Sequence, residues 1–219
     1  MRILVISDIH GAVEKIPKIL KVQLDVDLVL IVGDLTQQGG KIQAREVVAP
    51  IMDEGFPLLA VPGNMDTEGV LDYLEECNVS IHGRGRIVNG IGFFGVGGSN
   101  HTPFHTPFEL SDTELSDCLD AGFKTVSDCE YTVLVSHAPP YGTQLDKSYG
   151  GVHCGSKIVA EYIKMKTLTL CVCGHIHESR NQEMIGNTMC VNVGAVKENN
   201  YCIIELINSA VKIIRRKVA

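Results

Sequence analysis

The sequence predicts an α/β fold: a four-layer α/β/β/α sandwich of two mixed sheets with the helices outside. Three observations predict it. Short apolar runs, ILVIS (3–7), LVLIVG (28–33), LLAVPG (58–63), TVLVS (132–136) and TLCVCG (169–174), are bounded by glycine or polar residues, as strands buried on both faces are. Through the first half these runs alternate with segments of helical spacing, the pattern of parallel βαβ units. From 183 to 216, by contrast, short apolar stretches follow one another across turn residues and read as a meander. Parallel units first and antiparallel hairpins last require two packed sheets. No linker, low-complexity tract or break in composition interrupts the chain, so one domain over residues 1–219 is expected.

Each element has its own signal. After the first run, residues 12–21 place Val13, Ile16, Ile19 and Leu20 on one helical face. Residues 41–54 and 67–76 are helical candidates too, the second grouping Val70, Leu71 and Leu74. Val88-Asn89-Gly90-Ile91 predicts a hairpin, because Asn-Gly suits a two-residue type I′ turn. A long loop without periodicity, GVGGSNHTPFHTPFE, fills 95–109; loops of that length in compact domains are usually functional or mobile. Ser111-Asp112-Thr113-Glu114 is a capping box that opens a helix to about residue 121. A Pro-Pro loop follows the fourth run over 138–154, and a helix over 156–166 leads into the fifth. Gly186-Asn187 and Asn208-Ser209 are the turns of the final meander.

All five runs end in side chains able to bind a metal: Asp8 and His10, Asp34, Asn64, His137, then His175 and His177. In sheets of this kind the loops beyond the strands' carboxyl ends form the binding crevice. Oxygen and nitrogen ligands delivered together to one rim are what a two-metal centre needs, and turn chemistry alone does not account for all five. The set joins imidazole to hard oxygen without thiolate, which suits manganese, iron, zinc, nickel or cobalt and does not choose among them.

Bulk composition sets outer bounds. Of 219 residues, 45% are hydrophobic and 21% charged, ordinary values for a globular protein. The apolar runs are strand-sized, far short of the ~20 residues that span a bilayer, so no membrane segment is expected. A net charge of −7 argues against binding long nucleic acid. The one basic cluster, 212–217, reads as solvent-facing protection of an edge strand. Eight cysteines are scattered with no C-x-x-C pair, and Cys171 and Cys173 alternate along a strand as small core hydrophobes. Unpaired thiols without an export signal point to the reducing cytoplasm. Self-association is left open.

D-x-H, G-D, G-N, H and G-H-x-H, in that order after strands from Asp8 to His177, resemble the calcineurin-like metallophosphoesterase superfamily. Gly97-Gly98-Ser99-Asn100 and His153-Cys154-Gly155-Ser156 further resemble its small stand-alone prokaryotic members. The resemblance implies Asp8, His10 and His177 on one divalent ion, and Asn64, His137 and His175 on a second, with Asp34 bridging. It also implies hydrolysis of small phosphoesters by a metal-bridging hydroxide, with phosphodiesters preferred over monoesters. The same fold also serves as a protein-interaction scaffold when its ligands are degraded; here all seven ligand positions are intact.

Beside the metal ligands, Asn64, Asp66 and His153 are the candidate catalytic residues, and Asn100 and His101 the candidate substrate contacts. Asp66 reads equally as a helix cap or as a residue orienting its neighbours. Asn100 reads otherwise as a turn residue, His101 and His105 as loop surface, and His82, beside Gly83, as a solvated turn residue. One departure stands out. Similar proteins carry Gly-Asn-His-Asp or Gly-Asn-His-Glu where this chain has Gly63-Asn64-Met65-Asp66, and methionine cannot protonate a leaving oxygen. Asn192-Val193-Gly194-Ala195 departs more mildly from the Asn-Pro-Gly-Ser of similar proteins.

Overall fold

Two sheets lie face to face in the computed structural model, which describes residues 1–23, 25–207 and 210–218. The first three strands, β1 (Arg2–Ile6), β2 (Leu28–Val32) and β3 (Leu58–Val61), run parallel and are followed by α1 (Ile16–Lys21), α2 (Lys41–Asp53) and α3 (Glu68–Glu76). A hairpin of β4 (Gly85–Val88) and β5 (Ile91–Val96) comes next, and a short pair, β6 (Ser99–Asn100) and β7 (Glu109–Leu110), closes the long loop. Then follow α4 (Asp112–Lys124), β8 (Tyr131–Ser136), α5 (Lys157–Met165) and β9 (Leu170–Cys173). The chain finishes with β10 (Gln182–Ile185), β11 (Thr188–Asn192), β12 (Asn200–Ile207) and β13 (Ala210–Lys217). One sheet has the order β13-β12-β1-β2-β3 and the other β10-β11-β9-β8-β5-β4.

Side-chain alternation along the strands builds three apolar layers. Ile3, Val5, Leu30, Val133, Val135 and Val172 meet between the sheets. On the opposite face of the first sheet, Leu4, Ile6 and Ile31 meet Ile16, Val47, Ile51, Val70 and Leu74 of α1 to α3. Behind the second sheet, Phe94, Leu134, Cys171 and Cys173 meet Leu115, Leu119, Val159 and Ile163 of α4 and α5. The four-layer α/β/β/α sandwich of two mixed sheets is therefore present.

Local details follow the residues. Only the second half of 12–21 is α-helical, with a 3₁₀ turn over Val13–Lys15 before it; Pro17 sits in the first turn of α1, where no N–H is needed. Ser111 Oγ accepts from Glu114 N and Glu114 Oε2 accepts from Ser111 N at 2.8 Å, but α4 runs on to Lys124, past the expected end. Val88 pairs with Ile91 across Asn89 and Gly90, both at positive φ as a type I′ turn requires. The expected meander is not continuous. β11 runs parallel to β9, and the chain then crosses to the first sheet, where β12 lies antiparallel to β1. The reason is burial: β12 is apolar on both faces and takes an interior place in the first sheet. The turn expected at Asn208-Ser209 lies outside the described residues. β13 is an edge strand whose Lys212, Arg215, Arg216 and Lys217 are exposed. All eight cysteines are free, and no helix among the described residues is long and apolar enough to cross a membrane.

Candidate metal centre

The strand ends do not simply stop; they turn sharply. Asp8, His10, Asp34 and His175 all have left-handed backbones, with φ of 53°, 48°, 51° and 67°. Residues with a β-carbon hold that conformation only where their surroundings over-determine it, and such positions cluster at functional sites. Here the restraint is a backbone lattice between strand ends: Asp8 N donates to Gly33 O at 3.0 Å, and Ile9 N and His10 N both donate to Asp34 O at 2.9 Å. Three glycines leave room for ligands from neighbouring strands. A β-carbon at Gly33 would overlap the His137 ring, one at Gly63 would overlap Asp34, and one at Gly174 would overlap Ser7 and Asp8.

These turns gather two clusters of ligand atoms, Asp8 with His10 and His177, and Asp34 with His137 and His175, each within 4.8 Å. In the first, His177 Nε2 lies 3.2 Å from Asp8 Oδ1 and 3.3 Å from His10 Nε2. Asn64 Oδ1 joins the second at 3.0 Å from His137 Nε2. Asp34 Oδ2 stands 3.5 Å from His10 Nε2 and 3.5 Å from His137 Nε2, so one carboxylate oxygen touches both clusters. Donor atoms sharing one ion at ~2.1 Å stand about 3.0–3.4 Å apart when their bonds enclose roughly 90–109°. The donor set thus fits two cations in both chemistry and spacing. His137 Nδ1 donates to Val32 O at 2.8 Å, which fixes the ring and leaves Nε2 for an ion.

Without a cation the cluster is electrostatically unbalanced. Burial opposes ionisation of Asp8, but the His177 hydrogen bond and the His137 and His177 charges outweigh it and hold the carboxyl well below its usual range. Burial also opposes charge on His137, yet the Asp34 carboxylate and its hydrogen bond push this imidazole up to about 9. Burial and the neighbouring His137 charge push His175 down to about 4. Protons stand in for positive charge on one imidazole and are excluded from the next, and cations would replace them.

Comparison with known proteins decides the family. The calcineurin-like phosphoesterase model matches residues 1–179, most of the chain. The chain belongs to the calcineurin-like phosphoesterase family. It is also 38% identical over 200 residues to an uncharacterized protein of Methanocaldococcus jannaschii, covering 88% of this chain and 87% of that one. A Thermus thermophilus protein superposes with a TM-score of 0.80 at 22% identity, covering 100% of this chain and 99% of that one. A dimetal phosphatase from Danio rerio does so with a TM-score of 0.67 at 11% identity, again over 100% and 99%. These two share the fold. Family membership makes this chain a metal-dependent phosphoesterase, with the two clusters as its candidate metal sites.

The metallophosphoesterase centre opens into a cleft of about 460 Å³ lined by ligands and by Gln37, Gln38, Met65, Phe104, Thr106 and Lys197. Met65 holds the position of the missing histidine and gives its backbone N–H to Asp34 Oδ1 at 2.8 Å. Asp66, expected among the catalytic groups, is fully buried behind the site and does not line the cleft. Its carboxylate accepts from Gly63 N, Leu35 N, Thr36 N and Thr36 Oγ1, at 2.8 to 3.1 Å, and so ties the Asp34 turn to the Asn64 turn. Burial first, and the Asp34 charge second, push it up to about 6. The helix cap is the next residue, Thr67.

Asn100, His101 and His153 are not among the residues that line this cleft. Asn100 is half-buried on β6, and its Oδ1 has no hydrogen-bond partner among the described residues. His101 is largely exposed, 3.4 Å from Glu109 Oε2. His153 donates through Nδ1 to the buried Asp146 at 2.6 Å. His82 is not a solvated turn residue: its Nδ1 accepts from Gly97 N at 2.9 Å and its ring meets Phe108 edge-on. Contacts from distant segments produce that burial, and the local His-Gly pattern carries no sign of them.

Gln37, Gln38 and Lys197 were invisible in the motif pattern, and Asn192, though it opens the segment Asn192-Val193-Gly194-Ala195 compared above, had no role assigned. Asn192 Nδ2 donates to Leu145 O, Gly174 O and Ile176 O, clamping the loop that carries His175 and His177. Lys197 N donates to Asp8 O, and Lys15 Nζ holds Lys197 O, so Lys197 is fixed at the cleft wall. Gln37 and Gln38 directly follow the Asp34 turn. For Gln37 and Gln38 the available signal was their place just after Asp34; Lys197, far along the chain from every ligand, carried none.

Proposed function

We propose that the protein is a dinuclear metal-dependent phosphodiesterase acting on small substrates. Asp8, His10 and His177 would hold one ion and Asn64, His137 and His175 the other, with Asp34 shared. The observation that carries this reading is Asp34 Oδ2, equidistant at 3.5 Å from an imidazole of each cluster. Two bound ions supply an activated water nucleophile near neutral pH and neutralise the phosphoryl oxygens. The chain itself orients them, through the turns locked by Asp66 and the loop clamped by Asn192. Lys197 adds a cation to the cleft wall, suited to an anionic substrate.

Phosphodiesters are favoured because Met65 replaces the expected proton donor, and no histidine outside the ligand set lines the cleft. A leaving group of low pKa departs without protonation from either class, but the looser transition state of a monoester builds more charge on the leaving oxygen and so suffers more from a missing acid. We place the protein in the cytoplasm, a reading supported by its eight free thiols, and take it as one domain, supported by the apolar layer that the two sheets share. The test is a hydrolysis panel of cyclic, linear and nucleotide phosphoesters on protein reconstituted with manganese, iron, zinc, nickel or cobalt. Diester turnover above monoester turnover is expected. No turnover with any metal would move the protein to the class of binding scaffolds, and monoester preference would reverse the substrate assignment.

A further inference from the structure

The most prominent apolar group at the cleft is Phe104, whose side chain is 83% exposed. Large exposed apolar groups in isolation need no explanation, but this one is presented by an elaborately fixed loop. Glu109 Oε1 accepts from Thr102 Oγ1 at 2.6 Å, Thr106 N at 2.8 Å and Thr106 Oγ1 at 2.7 Å. Burial opposes the Glu109 charge, yet these hydrogen bonds push its carboxyl down to about 2, so the staple is ionised across the neutral range. Phe104 N itself donates to Thr102 Oγ1 at 3.2 Å, and His105 beside it is held in a left-handed backbone with φ 50°. At the loop's foot, Phe108 N donates to the carbonyl of the metal-ligand candidate Asn64 at 3.0 Å.

The same cleft carries three long polar side chains without partners. The Gln37 and Gln38 amides and the Lys197 ammonium make no hydrogen bond or ion pair among the described residues. An aromatic face, two free amides and a free cation around a phosphoryl-binding centre are the recognition elements of a flat, hydrogen-bonding anion. We infer that Phe104 is a stacking platform for an aromatic heterocycle on the substrate, so that the class hydrolysed is a nucleoside phosphodiester. This deepens the phosphodiesterase reading and rests on it for the reaction, while the stacking itself is a binding property that can be read separately.

The chain contains no tryptophan, so Phe104→Trp places a single indole reporter at the proposed platform. Zinc-loaded Phe104→Trp protein is titrated with adenosine 5′-monophosphate and, in parallel, with ribose 5-phosphate. Saturable quenching by the nucleotide and none by the sugar phosphate is expected; equal responses, or none to either, overturn the inference. In a second arm, Phe104→Ala is expected to lower the ratio of kcat/KM for a nucleoside phosphodiester over a methyl phosphodiester by about tenfold to a hundredfold, the loss typical of one base–aromatic stack. An unchanged ratio, with both substrates falling together, would make Phe104 structural. If no phosphoester is hydrolysed at all, the phosphodiesterase reading fails, and the fluorescence arm still decides whether a base stacks here.

Discussion

Asp34 has two separable tasks at the residue scale. One oxygen faces His10 and His137, and the other accepts the Met65 N–H, so shape and charge can be changed independently. Asn keeps most of the shape and loses the charge that two cations share. Asp34→Asn is therefore expected to lower metal content from two towards one and to reduce hydrolysis by at least about a hundredfold. Elemental analysis that finds two retained metals together with unchanged turnover would reject the bridging role. Met65 offers the complementary experiment. It lines the cleft but carries no proton to give, so rates across aryl phosphodiesters should fall steeply as leaving-group pKa rises. Met65→His should flatten that dependence and improve alkyl substrates within the ~10²–10⁴-fold range of general acid catalysis. A shallow wild-type dependence would mean that water or Lys197 already supplies the proton.

Secondary elements carry the site through their ends, and there sequence and structure part company. Hairpin and capping-box signals are local, so Asn89-Gly90 and Ser111-Glu114 could be read directly. The ligand-bearing turns were legible as motifs, but their left-handed backbones were not, because the enrichment of Asp and His in that conformation is too weak to place single turns and the restraint comes from other strands. His82 is the clearest loss. Its partners Gly97, Phe108 and Cys118 lie 15 or more positions away, and a His-Gly pair looks like solvent. The half-buried ring has consequences for pH. Burial, with a smaller part from the Arg84 charge, pushes His82 down to about 4. A depressed imidazole contributes stability that is complete above its unfolded value near 6.5 and is lost as pH falls through about 4. Protonation would also end acceptance from Gly97 N. His82→Gln, which keeps an acceptor, should narrow its melting-temperature deficit against wild type by roughly 2–4 °C between pH 6.5 and 4, the response to ~1 kcal/mol in a chain this long. An equal deficit at pH 6.5 and at pH 4, measured on the two metal-free proteins, would remove this assignment.

The architecture was legible in the whole molecule because strands buried on both faces write themselves as continuous apolar runs, whereas the partition of the last four strands between two sheets is a matter of pairing that no local signal encodes. That partition matters for function. Asp8, Asp34 and Asn64 follow strands of the first sheet, and His137, His175 and His177 follow strands of the second, so metals bound at this rim would join the two halves of the sandwich. Ligands that bind only the folded state stabilise it by about 4 kcal/mol at a thousandfold excess over their dissociation constant. Chelation should accordingly lower the melting temperature by roughly 8–16 °C, given the ~2–4 °C per kcal/mol of a chain this size. The gap should also depend on pH, with a sign set by His137 and His177. Burial opposes charge on both rings, but Asp34 raises His137 to about 9, and Asp8 raises His177 above its ordinary value. In metal-free protein a raised imidazole stabilises fully below its unfolded value of 6.5, and that contribution is lost as pH rises through about 9. Metal uptake needs the neutral rings and releases those protons, so affinity rises over the same interval. Scanning calorimetry from pH 6.5 to 9 should therefore show the metal-free melting temperature falling while the metal-loaded one holds or climbs. A gap that narrows with rising pH would reject this proton linkage, and chelation without effect on melting would mean that these clusters do not bind cations in the folded protein.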